Sequence, residues 1–104
     1  MAGPTAKANP DAAARLRLDK WLWQARFFKT RAEAAELIAK GRVRVNGARQ
    51  PKAGHGITVD DVLTFPQGDT IRVIRITALG VRRGPFTEAQ TLYIDMNAAP
   101  TPLE

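Results

Sequence analysis

The sequence predicts an α+β domain in which two short helices pack on a small, mostly antiparallel β-sheet. Apolar residues recur at helical spacing from Leu18 to Phe28 and again from Ala34 to Ile38. Valines alternate with arginines at period two from Arg42 to Val45 and stop at Asn46-Gly47, the strongest short hairpin signal. Beyond that turn, β-branched and apolar runs separated by Gly, Asp and Pro read as successive strands on which the helices can pack.

The first 14 residues are small and polar, with Pro4 and Pro10, and are expected to form a flexible lead-in. Next, Leu18, Trp21, Leu22, Ala25 and Phe28 follow the stripe of an amphipathic helix, with Asp19 as its expected N-cap. At about 100° per residue, Trp23 and Phe27 fall roughly opposite that stripe, near Lys20 and Arg26. Either this helix is sandwiched between the second helix and the sheet, or the aromatic pair is bare. A bare pair would stack unpaired bases, at about 1–3 kcal/mol per base.

Lys29-Thr30-Arg31 links the helices. Thr30 and Glu33 have capping-box spacing, Ala34, Leu37 and Ile38 point inward, the helix runs to about Lys40, and Gly41 fits the left-handed position that closes it. Glu36 and Lys40 stand i, i+4, so Lys40 has a neighbour that can satisfy it. Arg31 differs, because a cation at a helix start opposes the macrodipole; a phosphate docked on the free N–H groups would explain it. In the following strand the valines face inward and Arg42 and Arg44 outward. The return strand is short because Pro51, Gly54 and Gly56 interrupt it. Asp60 to Phe65, Thr70 to Ala78 and Thr91 to Asp95 complete the sheet, with breaks at Gln67-Gly68-Asp69 and at Gly80 to Pro85. Arg82 and Arg83 in the latter loop are either a further phosphate contact or a solvated turn. Residues 97–104 are expected to be a flexible tail, which leaves 15–96 as one folded domain.

Charge narrows the partner. The chain carries a net +6 with pI near 10.5, and eleven of its sixteen Lys and Arg lie between Arg15 and Lys52 against three acids, Asp19, Glu33 and Glu36. After Lys52, four basic residues face six acidic ones. A positive excess confined to one contiguous third points to a polyanion; the alternative is a basic face with no ligand. With 104 residues and 44% hydrophobic content there is one modest core and no room for a separate catalytic domain. Cysteine is absent, which excludes disulfides and thiolate chemistry. No run approaches the roughly 18 apolar residues of a membrane span, and the N-terminus lacks a signal-peptide pattern, so a cytoplasmic protein without a membrane partner is expected.

The succession Arg17-Leu18-Asp19, Leu22, Thr30-Arg31, Ala34, Ile38, Gly41, Val43, Val45, Asn46 and Gly47 resembles the S4 RNA-binding domain. The likeness covers about residues 15–65, and Asp61-Val62-Leu63-Thr64-Phe65 is similar to the strand that closes that motif. Asp19-Lys20-Trp21-Leu22-Trp23 and Arg26-Phe27-Phe28-Lys29-Thr30-Arg31 are similar to one branch, the small ribosome-associated heat-shock proteins. The resemblance implies a helix pair on a small sheet, with RNA bound by the helices, their link and the turn into the first strand. For that branch it implies a partner: the large ribosomal subunit still carrying a nascent chain on tRNA, in rescue or recycling under heat stress. Carried over position by position, it makes Arg17, Lys20, Arg26, Lys29, Thr30, Arg31, Lys40, Arg42, Arg44 and Asn46 the RNA-facing candidates. Trp23 and Phe27 are the candidates for base stacking. The branch commonly continues into a basic C-terminal extension, where this chain has Ala98-Ala99-Pro100-Thr101-Pro102-Leu103-Glu104.

Catalysis is not expected. His55 stands alone between Gly54 and Gly56, and Asp60 and Asp61, adjacent on an expected strand, would point to opposite faces. A Gly-rich phosphate loop and metal-ligand spacing are both missing, so neither a cofactor nor a metal is expected. The leading class is noncatalytic binding of structured RNA, rRNA or tRNA on the large ribosomal subunit, by a monomer. Two other classes stand beside it: an accessory or remnant of an RNA-modifying enzyme of the pseudouridine synthase type, and a basic adaptor that docks an acidic protein.

Overall fold

In the computed structural model, which describes residues 14–96, the chain starts on β1 (Leu16–Arg17) and turns directly into α1 (Leu18–Gln24). The expectations for residues 1–13 and 97–104 lie outside the described residues. Asp19 is not the cap of α1. Arg17 holds that position without a side-chain hydrogen bond, and the first amides, Leu18 N and Asp19 N, donate to the carbonyls of His55 and Ala53 at 2.9 and 3.1 Å. A tertiary contact with the 53–55 loop thus satisfies the helix start, and the Asp19 side chain is left for another use.

α1 is also shorter than its apolar stripe implied. Arg26 N donates to Trp23 O and Phe27 N to Leu22 O, both at 3.1 Å, which is a Schellman closure with Arg26 at a left-handed φ of 65°. Glycine usually fills that position; an L side chain there costs about 1–2 kcal/mol. The closure swings Phe27 into the core and ends the helical count that had placed it opposite Trp21. Phe28, expected on the inward stripe, is half-buried.

α2 (Arg31–Ala39) starts as its sequence requires, with Thr30 Oγ1 accepting from Glu33 N at 3.1 Å. It closes with the same hydrogen-bond pattern as α1. Here glycine takes the left-handed place: Gly41 has φ 75°, Gly41 N donates to Ile38 O at 2.9 Å and Arg42 N to Leu37 O at 3.3 Å. β2 (Arg44–Val45) and β3 (Ala48–Arg49) follow, joined by Asn46 and Gly47 at φ 53° and 86°, the two positive values a type I′ turn demands. β4 (Gly56–Ile57) pairs with β1 in a two-stranded sheet. β5 (Val62–Gln67), β6 (Thr70–Ile76) and β7 (Tyr93–Asp95) extend the hairpin into a five-stranded sheet of order β3-β2-β5-β6-β7, antiparallel throughout.

Strand boundaries depart from the sequence reading for identifiable reasons. β5 starts at Val62 rather than Asp60, because Asp60 takes φ 79° and the Asp61 carboxylate accepts from Thr58 N at 2.9 Å to make a turn. β6 stops at Ile76 because the next carbonyls serve α1: Ala78 O accepts from Trp21 Nε1 and Leu79 O from Gln24 Nε2, each at 3.0 Å. Before β7 the chain forms a one-turn helix, α3 (Phe86–Ala89), and a 3₁₀ turn (Gln90–Leu92), so Thr91 and Leu92 are not in the strand.

The fold is α+β as the sequence predicts. Leu18, Trp21 and Leu22 of α1 and Ala34 and Ile38 of α2 share one buried cluster with Leu63, Phe65, Ile74 and Ile76 of the sheet. That packing brings the start of α2 beside β1 and leads its end into β2. None of the described helices is long and apolar enough to cross a membrane.

Candidate nucleic-acid interface

The first cluster is built on Asp19, whose side chain is only 6% exposed. Arg17 grips it twice, Nε to Oδ1 at 3.0 Å and Nη2 to Oδ2 at 3.1 Å, and Arg31 Nη2 lies 3.5 Å from Oδ1. One buried carboxylate therefore orients two guanidinium groups that remain 54% and 43% exposed. Arg17 keeps Nη1 uncommitted to Asp19, and the group as a whole keeps a net positive charge. The Arg31 charge at the start of α2 is partly offset by Asp19, a stabilising partner that the macrodipole argument alone did not include. Lys29 and Thr30 are exposed beside it and Lys20 is half-buried.

Burial by itself would push the Asp19 carboxyl up, but the hydrogen bond from Arg17, the charges of Arg17 and Arg31 and the Lys20 backbone N–H outweigh it. The carboxyl lies below its usual range. An unfolded aspartate titrates near 3.9. The stabilisation is therefore complete above about pH 4 and is lost as pH falls through the folded value. Asp19→Asn should lower stability at pH 7 by about 1–3 kcal/mol and flatten the acid limb. Urea unfolding of both proteins at pH 7 and pH 3 checks this; an unchanged loss of stability between the two pH values would show that Asp19 does not carry it.

The second cluster stands at the other end of α2, about 13 Å along its axis at 1.5 Å per residue. Arg42, Arg44 and Arg49 surround a concavity of about 330 Å³ lined also by Thr64, Pro66 and Ile71. All three arginines are exposed, while Val43 and Val45 between them are buried, which is the alternation the sequence predicts. Register places Arg44 directly opposite Arg49 on one side and Thr64 on the other. Like charges opposite each other weaken a strand pair by roughly 0.2–1 kcal/mol. Among the described residues no acid forms an ion pair with any of the three, although Arg17, Arg31, Arg72 and Arg82 are all paired. Arg44 Nη1 donates to Gly47 O at 3.1 Å, which fixes its direction without neutralising it.

The remaining candidates fall outside these clusters. Lys40 pairs with Glu36 at 3.6 Å on the exposed face of α2. Asn46 is spent on structure: its Nδ2 donates to Asp61 Oδ1 at 3.1 Å and its Oδ1 accepts from Val62 N at 2.9 Å, tying the turn to β5. Arg26 is exposed but its Nε donates to Gly84 O at 2.7 Å. Phe27 is 7% exposed, with its ring 4.6 Å from Tyr93, 5.0 Å from Phe65 and 6.1 Å from Trp21, so no open face remains for a base. Trp23 is half-buried, and the Arg83 guanidinium lies 5.7 Å over its ring.

Neither reading of the Arg82-Arg83 loop describes Arg83. It turns inward, donating to Trp23 O at 3.1 Å, which also accepts from Arg26 N, and to Phe28 O at 3.4 Å in the segment after α1. Arg82 pairs with Glu88 at 2.7 Å on the surface.

Asp19 and Arg49 are the participants that sequence reasoning missed. Arg49 was within reach, since a two-residue Asn46-Gly47 turn sets Arg44 against Arg49 by counting outward from it. Asp19 was not, because its contact with Arg31 depends on how two helices pack.

Residues 16–63 match the S4 domain. The chain is 44% identical over 81 residues to heat shock protein 15 of Escherichia coli, an alignment that covers 78% of this chain and 60% of that protein. The chain thus spans about three fifths of the length of that relative. It is 38% identical over 80 residues to the RQC P-site tRNA stabilizing factor of Halalkalibacterium halodurans, covering 75% of this chain and 86% of that one. Its fold superposes on the trimeric structure of Vibrio cholerae heat shock protein 15 with a TM-score of 0.76 and 36% identity, over 82% of this chain and 85% of that one. Matched in sequence across the helix pair and hairpin and in fold over 82% of its length, the chain belongs to the S4-domain family of heat shock protein 15.

Proposed function

We propose that this chain is a noncatalytic RNA-binding protein that recognises structured RNA, rRNA or tRNA on the large ribosomal subunit, in stalled-ribosome rescue or recycling under heat stress. The observation that carries this reading is the group Arg42, Arg44 and Arg49 around one concavity, without an ion pair to any acid among the described residues and with Arg44 and Arg49 in direct opposition. Phosphate bound there would offset a repulsion that folding alone leaves standing. Arg17 and Arg31, aimed by Asp19, with Lys20, Lys29 and Thr30 nearby, form the second point of contact. Folded RNA is held mainly through its backbone and shape, which suits two guanidinium clusters at a fixed spacing. The H. halodurans relative is named for stabilising a P-site tRNA, and a large subunit that still carries tRNA is the partner we propose here. One chain supplies both clusters, so we expect a cytoplasmic monomer to bind, in contrast to the trimeric V. cholerae relative.

The test is a salt titration with purified large ribosomal subunits. With about five phosphate contacts, affinity should fall about 10²- to 10³-fold between 50 and 200 mM salt. Binding indifferent to salt would sink the reading.

A further inference from the structure

A second cleft, of about 470 Å³, lies where the turn out of α1 meets β5, β6, β7 and the turn before β7; Ala25, Arg26 and Phe27 of its lining fall within the matched S4 segment, and the rest lies beyond it. Its lining includes Arg26, Phe27, Arg72, Phe86, Gln90 and Tyr93. The interior is polar, close to neutral and held in place. Arg72 donates to Asp95 Oδ2 and to Gln67 Oε1, both at 2.8 Å, and lies 5.1 Å over the Phe27 ring; Gln67 Nε2 donates to Phe27 O at 2.8 Å. Phe86 borders the cleft and is 59% exposed, a large ring that the core does not use. Gln90 is exposed, and no hydrogen bond holds its amide among the described residues.

The segment that carries Phe86 is strapped to the last turn of α1 and the residues that follow it by three hydrogen bonds: Arg26 Nε to Gly84 O, Arg83 Nε to Trp23 O and Arg83 Nη2 to Phe28 O. Among the described residues no hydrogen bond or ion pair holds the two terminal amino groups of Arg26, which accepts an unfavourable left-handed backbone. Strain held on a charged, exposed side chain beside a cleft is a pointer to function. A neutral hydrogen-bonding interior, an exposed aromatic wall and one cation together match a flat, polar-edged ring attached to a phosphate.

We propose that this cleft holds one unpaired nucleotide of the bound RNA, with its base stacked on Phe86, its edge met by Gln90 and its phosphate on Arg26. The proposal rests on the RNA-binding reading above and adds to it a contact specific for single-stranded residues. Stacking of one base corresponds to roughly 5- to 150-fold in affinity.

The probes are two RNA hairpins of identical stem, one blunt and one with a four-nucleotide single-stranded 3′ tail. The wild-type chain should prefer the tailed hairpin by a factor in that range. Phe86→Ala should reduce the preference to near one while changing affinity for the blunt hairpin less than about twofold, and Phe86→Tyr should restore it. Because Phe86 is mostly exposed, the alanine variant should keep the wild-type urea midpoint. A preference that survives Phe86→Ala, or equal binding of both hairpins by the wild type, overturns the cleft assignment and leaves salt-sensitive binding of the blunt stem intact. Failure to bind either hairpin overturns both readings. Tight binding of free adenosine monophosphate with no preference for the tail would assign the cleft to a free nucleotide and overturn the proposal as stated.

Discussion

Trp21→Ala should lower the free energy of unfolding by about 3–5 kcal/mol. Trp21 is fully buried between α1 and the sheet, its ring 6.1 Å from Phe27 and 6.5 Å from Tyr93. Its removal leaves a cavity among rings that cannot collapse freely, because Phe27 is fixed by the Schellman closure and Tyr93 by its place opposite Ile76. It also strands Ala78 O, which accepts from Trp21 Nε1 at 3.0 Å. Small domains typically hold about 5–15 kcal/mol in all, so the loss is a large share of what keeps this one folded. Urea denaturation should show a lower midpoint with an unchanged slope. Trp21→Phe, which keeps most of the ring and forfeits the hydrogen bond, should fall between wild type and alanine. A midpoint within error of wild type for Trp21→Ala would mean that the inner face of α1 has been misassigned.

Replacing Arg42, Arg44 and Arg49 together by alanine should have opposite effects on binding and on stability. At about 1 kcal/mol per screened contact, three lost phosphate contacts weaken RNA binding by roughly 10²-fold. The dependence of log affinity on log salt should become shallower by about three, close to one for each arginine. Stability should stay level or rise slightly, since the opposed Arg44 and Arg49 are separated no longer by charge repulsion but by two alanines. Arg82→Ala, which removes an exposed arginine already paired with Glu88, is the control and should leave the salt slope unchanged. If the triple variant keeps both its affinity and its slope, the concavity is not where phosphate binds. If it unfolds, these arginines are structural and the repulsion argument is wrong.

Legibility differed from element to element. α2 could be read nearly to the residue, because Thr30, Glu33 and Gly41 are local signals whose hydrogen bonds close within one turn of the helix. The hairpin was equally plain, since Asn46 and Gly47 tolerate the positive φ that its turn needs. α1 could not be delimited. Its apolar stripe continues past Gln24 to Phe28, and nothing local to Arg26 marks it as the residue that turns left-handed. Its Trp23 carbonyl takes a second hydrogen bond from Arg83, about sixty residues away, and its first amides are met by the 53–55 loop. A closure that depends on distant partners leaves no trace in local periodicity.

The same division runs through the surface. The sequence by itself determined the α+β class, the concentration of positive charge between Arg15 and Lys52, and the outward pointing of Arg42 and Arg44, because composition and period-two alternation act within a few residues of chain. Only the tertiary structure decided which of those charges remain free. Packing of α1 against α2 sets Asp19 under Arg17 and Arg31, strand register sets Arg44 against Arg49 with no acid paired to either among the described residues, and the turn out of α1 encloses Phe27. The physical reason is that ion pairing and burial depend on distance in space, and the partners that settle them here come from other turns and strands of the chain.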